Sequence, residues 1–189
     1  MPDQNSINER NGFNWDRIKT EHFMQCFDED ESLVEAVGSF LQGSLQRKQA
    51  AIIIGTPEHI AGVERFLEDK RLNPLALQRS GQYIPLDAEE TLARFCVDGR
   101  INRQRFYEVI GGLVSRAHNS WGGVRAFGEM VNLLWLEGKK EEAIELEELW
   151  NELARIYPFA LFCAYSKAAF EDEGESFSHV CEAHSMVIL

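Results

Sequence analysis

Apolar and polar positions alternate along this chain in two rhythms. Short β-branched or aromatic runs recur between longer stretches with a helical period. "HFMQCF" (22–27) is the first strand candidate, and the acidic "DEDE" (28–31) opens a helix behind it. Leu33, Val37, Phe40 and Leu41 give that helix one apolar face, and Gly43 is a natural place for it to end. "AAIIIG" (50–55) has no polar residue and reads as a strand buried on both faces, as in a parallel sheet. Thr56 then suits an N-cap and Pro57 a first helical position, with Ile60, Val63 and Leu67 as the apolar stripe.

Further along, "QYIPLDA" (82–88) is a strand whose Pro85 places it near an edge. "AEETLARFCVDG" reads as a short helix ending at Gly99. The clearest helix covers 103–118, with Phe106, Val109, Ile110, Leu113, Val114 and Ala117 on one face. "GGVRAFGEM" (122–130) is another strand, running into "VNLLWLEG". A long amphipathic helix starts at Lys139, "ALFCAYS" (160–166) is a strand, and "MVIL" is a last one. "EDEGES" reads as a loop and "FSHVCEAHS" as a helical turn. Strands alternating with helices predict one α/β domain, a mostly parallel sheet flanked by helices. Residues 1–19 are polar and read as a tail, leaving 20–189 as the domain.

Composition narrows the functions. With 189 residues the chain can bury a sizeable core. A net charge of −12 argues against nucleic acid and anionic membrane surfaces as partners. No apolar run has the length of a membrane span and the N-terminus is no signal peptide, so a cytoplasmic protein is expected. Cys26, Cys96, Cys163 and Cys181 include no CxxC pair and are expected to be free thiols.

Four places could carry chemistry. The first is "GTPEHIAG", from Gly55 to Gly62, which sits where a phosphate loop would. It lacks the Lys and the following Ser/Thr of that motif, and Glu58 puts negative charge in the first helical turn. The simpler reading is a capped strand-to-helix turn. The second is Glu129, placed by the pattern at the carboxyl end of a strand, where ligands bind in open α/β sheets. Gly128 permits close approach, and Arg125, earlier in the strand, is a candidate partner; a helix-start Glu is the plainer alternative. The third is a possible metal set, His22 and Cys26 near the start with Cys181 and His184 near the end. Those spacings are only loosely zinc-like, and buried thiols with hydrogen-bonded imidazoles are the simpler reading, so no metal and no other cofactor is expected. The fourth is the acidic helix, where Glu141, Glu142, Glu145, Glu148 and Glu152 suit a solvated face. Glu147 instead lies near the apolar stripe and needs a partner, with Arg125 and Asn151 as candidates.

"VRAFGEMVNLLWLEG", "AIELEELWNELA", "FALFCAY" and "VCEAHSMV" together resemble the MEDS domain, the methanogen/methylotroph DcmR sensory domain. The resemblance extends upstream through "AAIIIGTPEH", "GQYIPLDAEETLARFCVDG" and "FYEVIGGL", covering roughly residues 20–188. It implies a fold akin to RecA/KaiC-type ATPases with a degenerate phosphate loop. It also implies prokaryotic signal transduction and sensing of small hydrocarbon derivatives. The family often carries an attached DNA-binding or kinase region, and none is apparent in this sequence. The expectation is therefore a stand-alone, non-catalytic sensor acting through a signalling partner, such as a kinase or regulator, or through a homo-oligomer. Gly55, Thr56, Asp87, Arg125, Glu129, Cys163 and Tyr165, each at or near a strand end, are the expected ligand-binding residues. Glu129 is the expected polar anchor, Arg125 its orienting partner, and Tyr165 an amphipathic wall. The alternatives are a divergent nucleotide-binding ATPase, with Glu129 activating water, and a pure interaction module.

Overall fold

A computed structural model describes residues 20–170 and 180–188. Its main sheet has six strands in the order β3-β2-β6-β7-β1-β8. These are β1 (His22–Phe27), β2 (Ala50–Gly55), β3 (Tyr83–Asp87), β6 (Val124–Gly128), β7 (Ala160–Ser166) and β8 (Met186–Ile188). Every neighbouring pair is parallel. The apolar run of β2 lies inside the sheet between β3 and β6 and is buried at every position, as its lack of polar residues requires. Pro85 sits in β3, at the edge, where its missing N–H breaks no ladder on the outer side.

Helices cover both faces. α1 (Asp30–Gln46), α2 (Pro57–Asp69) and α3 (Pro74–Ser80) lie on one. Beneath α1 and α2, Phe23, Phe40, Phe127 and Phe162 form a buried aromatic group with ring centroids 4.8–5.7 Å apart. The other face carries α4 (Ala88–Ala93), a helix from α5 (Arg103–Phe106) to α6 (Gly112–Trp121), α7 (Met130–Leu136) and α8 (Lys140–Ile156). Between α5 and α6 the turn widens into a π segment at Tyr107–Gly111. Alternation along each strand divides the two cores. In β7, Leu161, Cys163 and Tyr165 face α7 and α8, while Ala160, Phe162 and Ala164 face the opposite helices.

Two expectations need correction. α1 runs through Gly43 to Gln46 instead of ending at the glycine. A Cβ at Gly43 would lie 2.6 Å from Nη1 of Arg125, so the glycine makes room for that buried guanidinium. The segment ending at Gly99 is helical only to Ala93. Beyond it β4 (Cys96–Val97) and β5 (Arg100–Ile101) pair as an antiparallel hairpin. Asp98 and Gly99 both have positive φ, 52° and 77°, the turn that an Asp-Gly dipeptide favours. The expected tail at 1–19 and the loop "EDEGES" lie outside the described residues.

Candidate functional site

Two buried polar clusters stand out, one on each side of the sheet. The first grows from the topology. From β2 the chain moves outward to β3, whereas from β6 it moves the other way to β7. β2 and β6 are neighbours, so their following segments diverge at their carboxyl ends, the switch point at which α/β sheets form a ligand crevice. Beyond the ends of β1 and β7, Lys167 and Asp28 meet in an exposed ion pair at 2.6 Å.

Glu129 lies at the β2–β6 crevice. Its backbone N–H donates to the Ile54 carbonyl (2.9 Å), and its side chain is 2% exposed. Oε2 accepts the Thr56 N–H at 3.1 Å. Both carboxylate oxygens lie 2.9 Å from Nδ1 of His59, one turn into α2. Nε2 of His59 is 3.3 Å from Asp30 Oδ1 at the start of α1, within ion-pair distance but not aligned as a hydrogen bond. The Glu129 hydrogen bond raises the pKa of His59 above that of free imidazole; burial works against it, and the charges of Glu129 and Asp30 add to it. Thr56 Oγ1 accepts the His59 N–H (3.3 Å) and caps α2, so "GTPEH" is a capped turn that also places the imidazole. Gly55 keeps the strand end clear, since a Cβ there would lie 3.3 Å from Glu129 Oε2.

The second cluster lies on the α8 side. His22 from β1, Glu147 from α8, Cys163 from β7 and His184 before β8 are all buried, and each offers a ligand atom within 4.8 Å of the others. Nε2 of His22 is 3.3 Å from Cys163 Sγ and 3.2 Å from Glu147 Oε2. Nε2 of His184 is 3.3 Å from Glu147 Oε1 without hydrogen-bond alignment. Tyr165 donates its hydroxyl to Glu147 Oε1 at 2.7 Å. Burial alone would raise the pKa of Glu147, but His184 and His22 hold it well below the usual carboxylate range. Burial and then the Glu147 charge push the Cys163 thiol well up. His184 is raised overall, since the charge and hydrogen bonding of Glu147, with the Val180 carbonyl, outweigh its burial.

The expected site residues therefore do not converge on one pocket. Gly55, Thr56 and Glu129 come together at the crevice. Asp87 ends β3 and caps α4 by accepting the Glu90 N–H at 2.8 Å. Cys163 and Tyr165 belong to the other cluster. Arg125 is not the partner of Glu129. It begins four residues earlier, about 13 Å along the strand, and donates to the Phe40 carbonyl at 2.8 Å while lying over the Phe40 ring. Nor is it the partner of Glu147, whose neighbours are Tyr165, Cys163 and the two histidines. Asn151 is one link further out, on His22. Of the possible set His22, Cys26, Cys181 and His184, the two histidines meet, with ring centroids 4.2 Å apart, and it is Cys163 and Glu147 rather than Cys26 and Cys181 that cluster with them. His59 was missed, although its place in the first turn after Thr56-Pro57 was a usable signal.

The sheet and its flanking helices define the class. The chain has a RecA/KaiC-like α/β fold, similar to the solved KaiC-like protein PH0186 from the hyperthermophilic archaeon Pyrococcus horikoshii OT3, with a TM-score of 0.51 and 11% sequence identity. That match covers 78% of this chain and 63% of the archaeal one, so the chain spans less than two thirds of that neighbour's length. Within this class the chain belongs to the MEDS family, the methanogen/methylotroph DcmR sensory domain, whose model matches residues 21–185. No curated protein matches the sequence. Among the described residues no helix is long and apolar enough to cross a membrane.

Proposed function

We propose that this sensory domain detects a small molecule at the crevice between β2 and β6 and reports it to a signalling partner without catalysing a reaction. One observation carries the reading: a carboxylate and an imidazole, both buried, meet at the carboxyl ends of β2 and β6, the switch point where sheets of this class bind ligands. Such a pair can accept and donate hydrogen bonds to a small polar ligand, and the apolar Phe27 ring, 6.1 Å from His59, borders it. A ligand engaging Glu129 or His59 acts on the starts of α1, α2 and α7 together, because Asp30, His59 and Glu129 stand at those starts. That gives a binding event a route to the helical surface a partner would contact.

The test is a thermal-shift panel of small alcohols, halogenated hydrocarbons, amines and carboxylic acids on the purified chain, repeated on Glu129→Gln and His59→Gln. A compound that stabilises the wild type and loses at least about tenfold in affinity in both variants supports the site, matching the loss of one charged hydrogen bond. A compound that binds all three proteins equally places the ligand elsewhere. The fold also favours comparison with a nucleotide-binding ATPase. The same panel includes ATP with Mg²⁺, for which no stabilisation and no hydrolysis are expected. Turnover that disappears in Glu129→Gln would establish the ATPase reading instead.

A further inference from the structure

We propose that His22, Glu147, Cys163 and His184 form a closed binding site for one divalent transition-metal ion of the zinc class. It lies across the sheet from the crevice and is independent of ligand sensing there.

The orientation of both imidazoles carries the argument. Asn151 donates its Nδ2 to the Ala183 carbonyl at 2.8 Å, which fixes the amide and turns Oδ1 toward His22. At 2.9 Å that oxygen can only accept, so Nδ1 of His22 carries the proton. Nδ1 of His184 lies 2.7 Å from the Val180 carbonyl and must be a donor too. In neutral imidazoles both Nε2 atoms then carry lone pairs: that of His22 lies 3.2 Å from Glu147 Oε2 and 3.3 Å from Cys163 Sγ, and that of His184 lies 3.3 Å from Glu147 Oε1. A cation placed among these atoms would be met by both lone pairs, the carboxylate and the Cys163 sulfur at once. Two imidazoliums would bury an excess of positive charge beside a thiol, at a high desolvation cost. A divalent ion instead balances one thiolate and one carboxylate to a neutral site.

Spacing and chemistry agree. Tetrahedral zinc with bonds of about 2.0–2.3 Å needs ligand atoms about 3.3–3.8 Å apart. His22 lies 3.3 Å from Cys163; Glu147 lies 3.2 Å from His22 and 3.5 Å from Cys163 through Oε2 and 3.3 Å from His184 through Oε1; all four ligand atoms fall within 4.8 Å of one another, so a small adjustment would close them on one ion. Two imidazoles, a thiolate and a carboxylate suit a borderline-soft ion such as Zn²⁺ better than Mg²⁺ or Ca²⁺. Asn151, Val180 and Tyr165 are the outer partners that orient such ligands. Four buried protein ligands leave no open position, which marks a structural rather than a hydrolytic site. The ion would bind as Zn²⁺, displacing the proton of the Cys163 thiol to solvent with no redox change. It would tie the segment before β8 to β1, β7 and α8, reinforcing the Ser185 hydrogen bonds to the His22 carbonyl.

The experiment uses the full chain, stripped of metal by a chelator under reducing conditions and titrated with Co²⁺. Saturation at one equivalent is expected, with a thiolate-to-cobalt charge-transfer band that Zn²⁺ bleaches. Zn²⁺ should also raise the melting temperature of the stripped protein by several degrees. Cys163→Ser should abolish the band, whereas Cys26→Ser and Cys181→Ser should keep it. Failure to bind one equivalent overturns the site, as does a band that survives Cys163→Ser. Should Cys163→Ser not fold, zinc-edge X-ray absorption of the wild type decides: one sulfur at about 2.3 Å with nitrogen and oxygen neighbours supports the site, and a shell without sulfur overturns it.

Discussion

Glu129→Gln is the most informative single change. It preserves the size of a side chain that is 2% exposed and removes only its charge. The carboxylate makes one bond to the Thr56 N–H and lies equally close, 2.9 Å by either oxygen, to Nδ1 of His59. The amide has a single acceptor oxygen, so keeping the Thr56 bond turns its NH₂ group toward the imidazole. One charged hydrogen bond is then lost, a destabilisation of about 1.5–3 kcal/mol. For a domain of this size that is a fall in melting temperature of about 3–12 °C. The pH dependence is the sharper signature. The pair raises the pKa of His59. Its contribution is therefore fully present below the unfolded histidine value of about 6.5 and is lost as pH rises through the higher folded value. Urea unfolding of wild type and variant, from about pH 5.5 to about pH 9, should show their difference shrinking with rising pH. A difference that stays constant over that range would refute the coupling of His59 to Glu129. No difference at any pH would refute the pair altogether.

Three further outcomes follow from the fold. Phe162→Ala removes the ring at the centre of the Phe23–Phe40–Phe127 group and should cost about 3–5 kcal/mol in urea unfolding; a loss below about 1 kcal/mol would contradict the packing. Gly99→Ala forces a Cβ onto a residue with φ of 77°, so the melting temperature should drop by an amount corresponding to about 1 kcal/mol, and an unchanged value would argue against the Asp98–Gly99 turn. Gly38→Ala places a Cβ 2.4 Å from the Phe66 ring between α1 and α2, and the clash should outweigh the roughly 1 kcal/mol gain in helix propensity, a balance that the same unfolding curves would read.

What the sequence made legible was local. The burial of β2, the Thr56-Pro57 helix start and the edge position of β3 each follow from residue types within a few positions. The missed hairpin was also legible in principle, since Asp98-Gly99 is a hairpin signal, but two-residue strands are too short to show alternation. The sites depend on long-range placement instead. The strand-end position of Glu129 is visible in one dimension, while its partner His59 arrives from a different strand–helix turn 70 residues away. The same limit explains Arg125. Residues 125 and 129 share a strand face, yet strand rise separates them, and the guanidinium goes to a gap that Gly43 leaves in α1. For the second cluster, His22 and His184 could be proposed as a pair from residue type alone. The parallel pairing of β1 with β7 brings Cys163 to His22, and α8 on the same face brings Glu147, so that these two, not Cys26 and Cys181, meet the histidines.

The proposed absence of phosphate chemistry at the turn after β2 has a physical reason beyond a missing lysine. An anion binds such a turn through backbone N–H groups left unpaired at the helix start. Here the Thr56 N–H already meets the carboxylate of Glu129, and the His59 N–H meets Thr56 Oγ1. A phosphate approaching the Thr56 amide would come within about 4 Å of the Glu129 charge, a repulsion of about 4 kcal/mol per unit charge at the effective dielectric of a partly buried site. Restoring a lysine to the turn would leave that carboxylate in place. The protein supplies its own carboxylate at this position, and the His59 ring lies against it. On the proposed reading, a neutral or hydrogen-bonding small molecule engages such a pair without displacing it, whereas a triphosphate meets this repulsion.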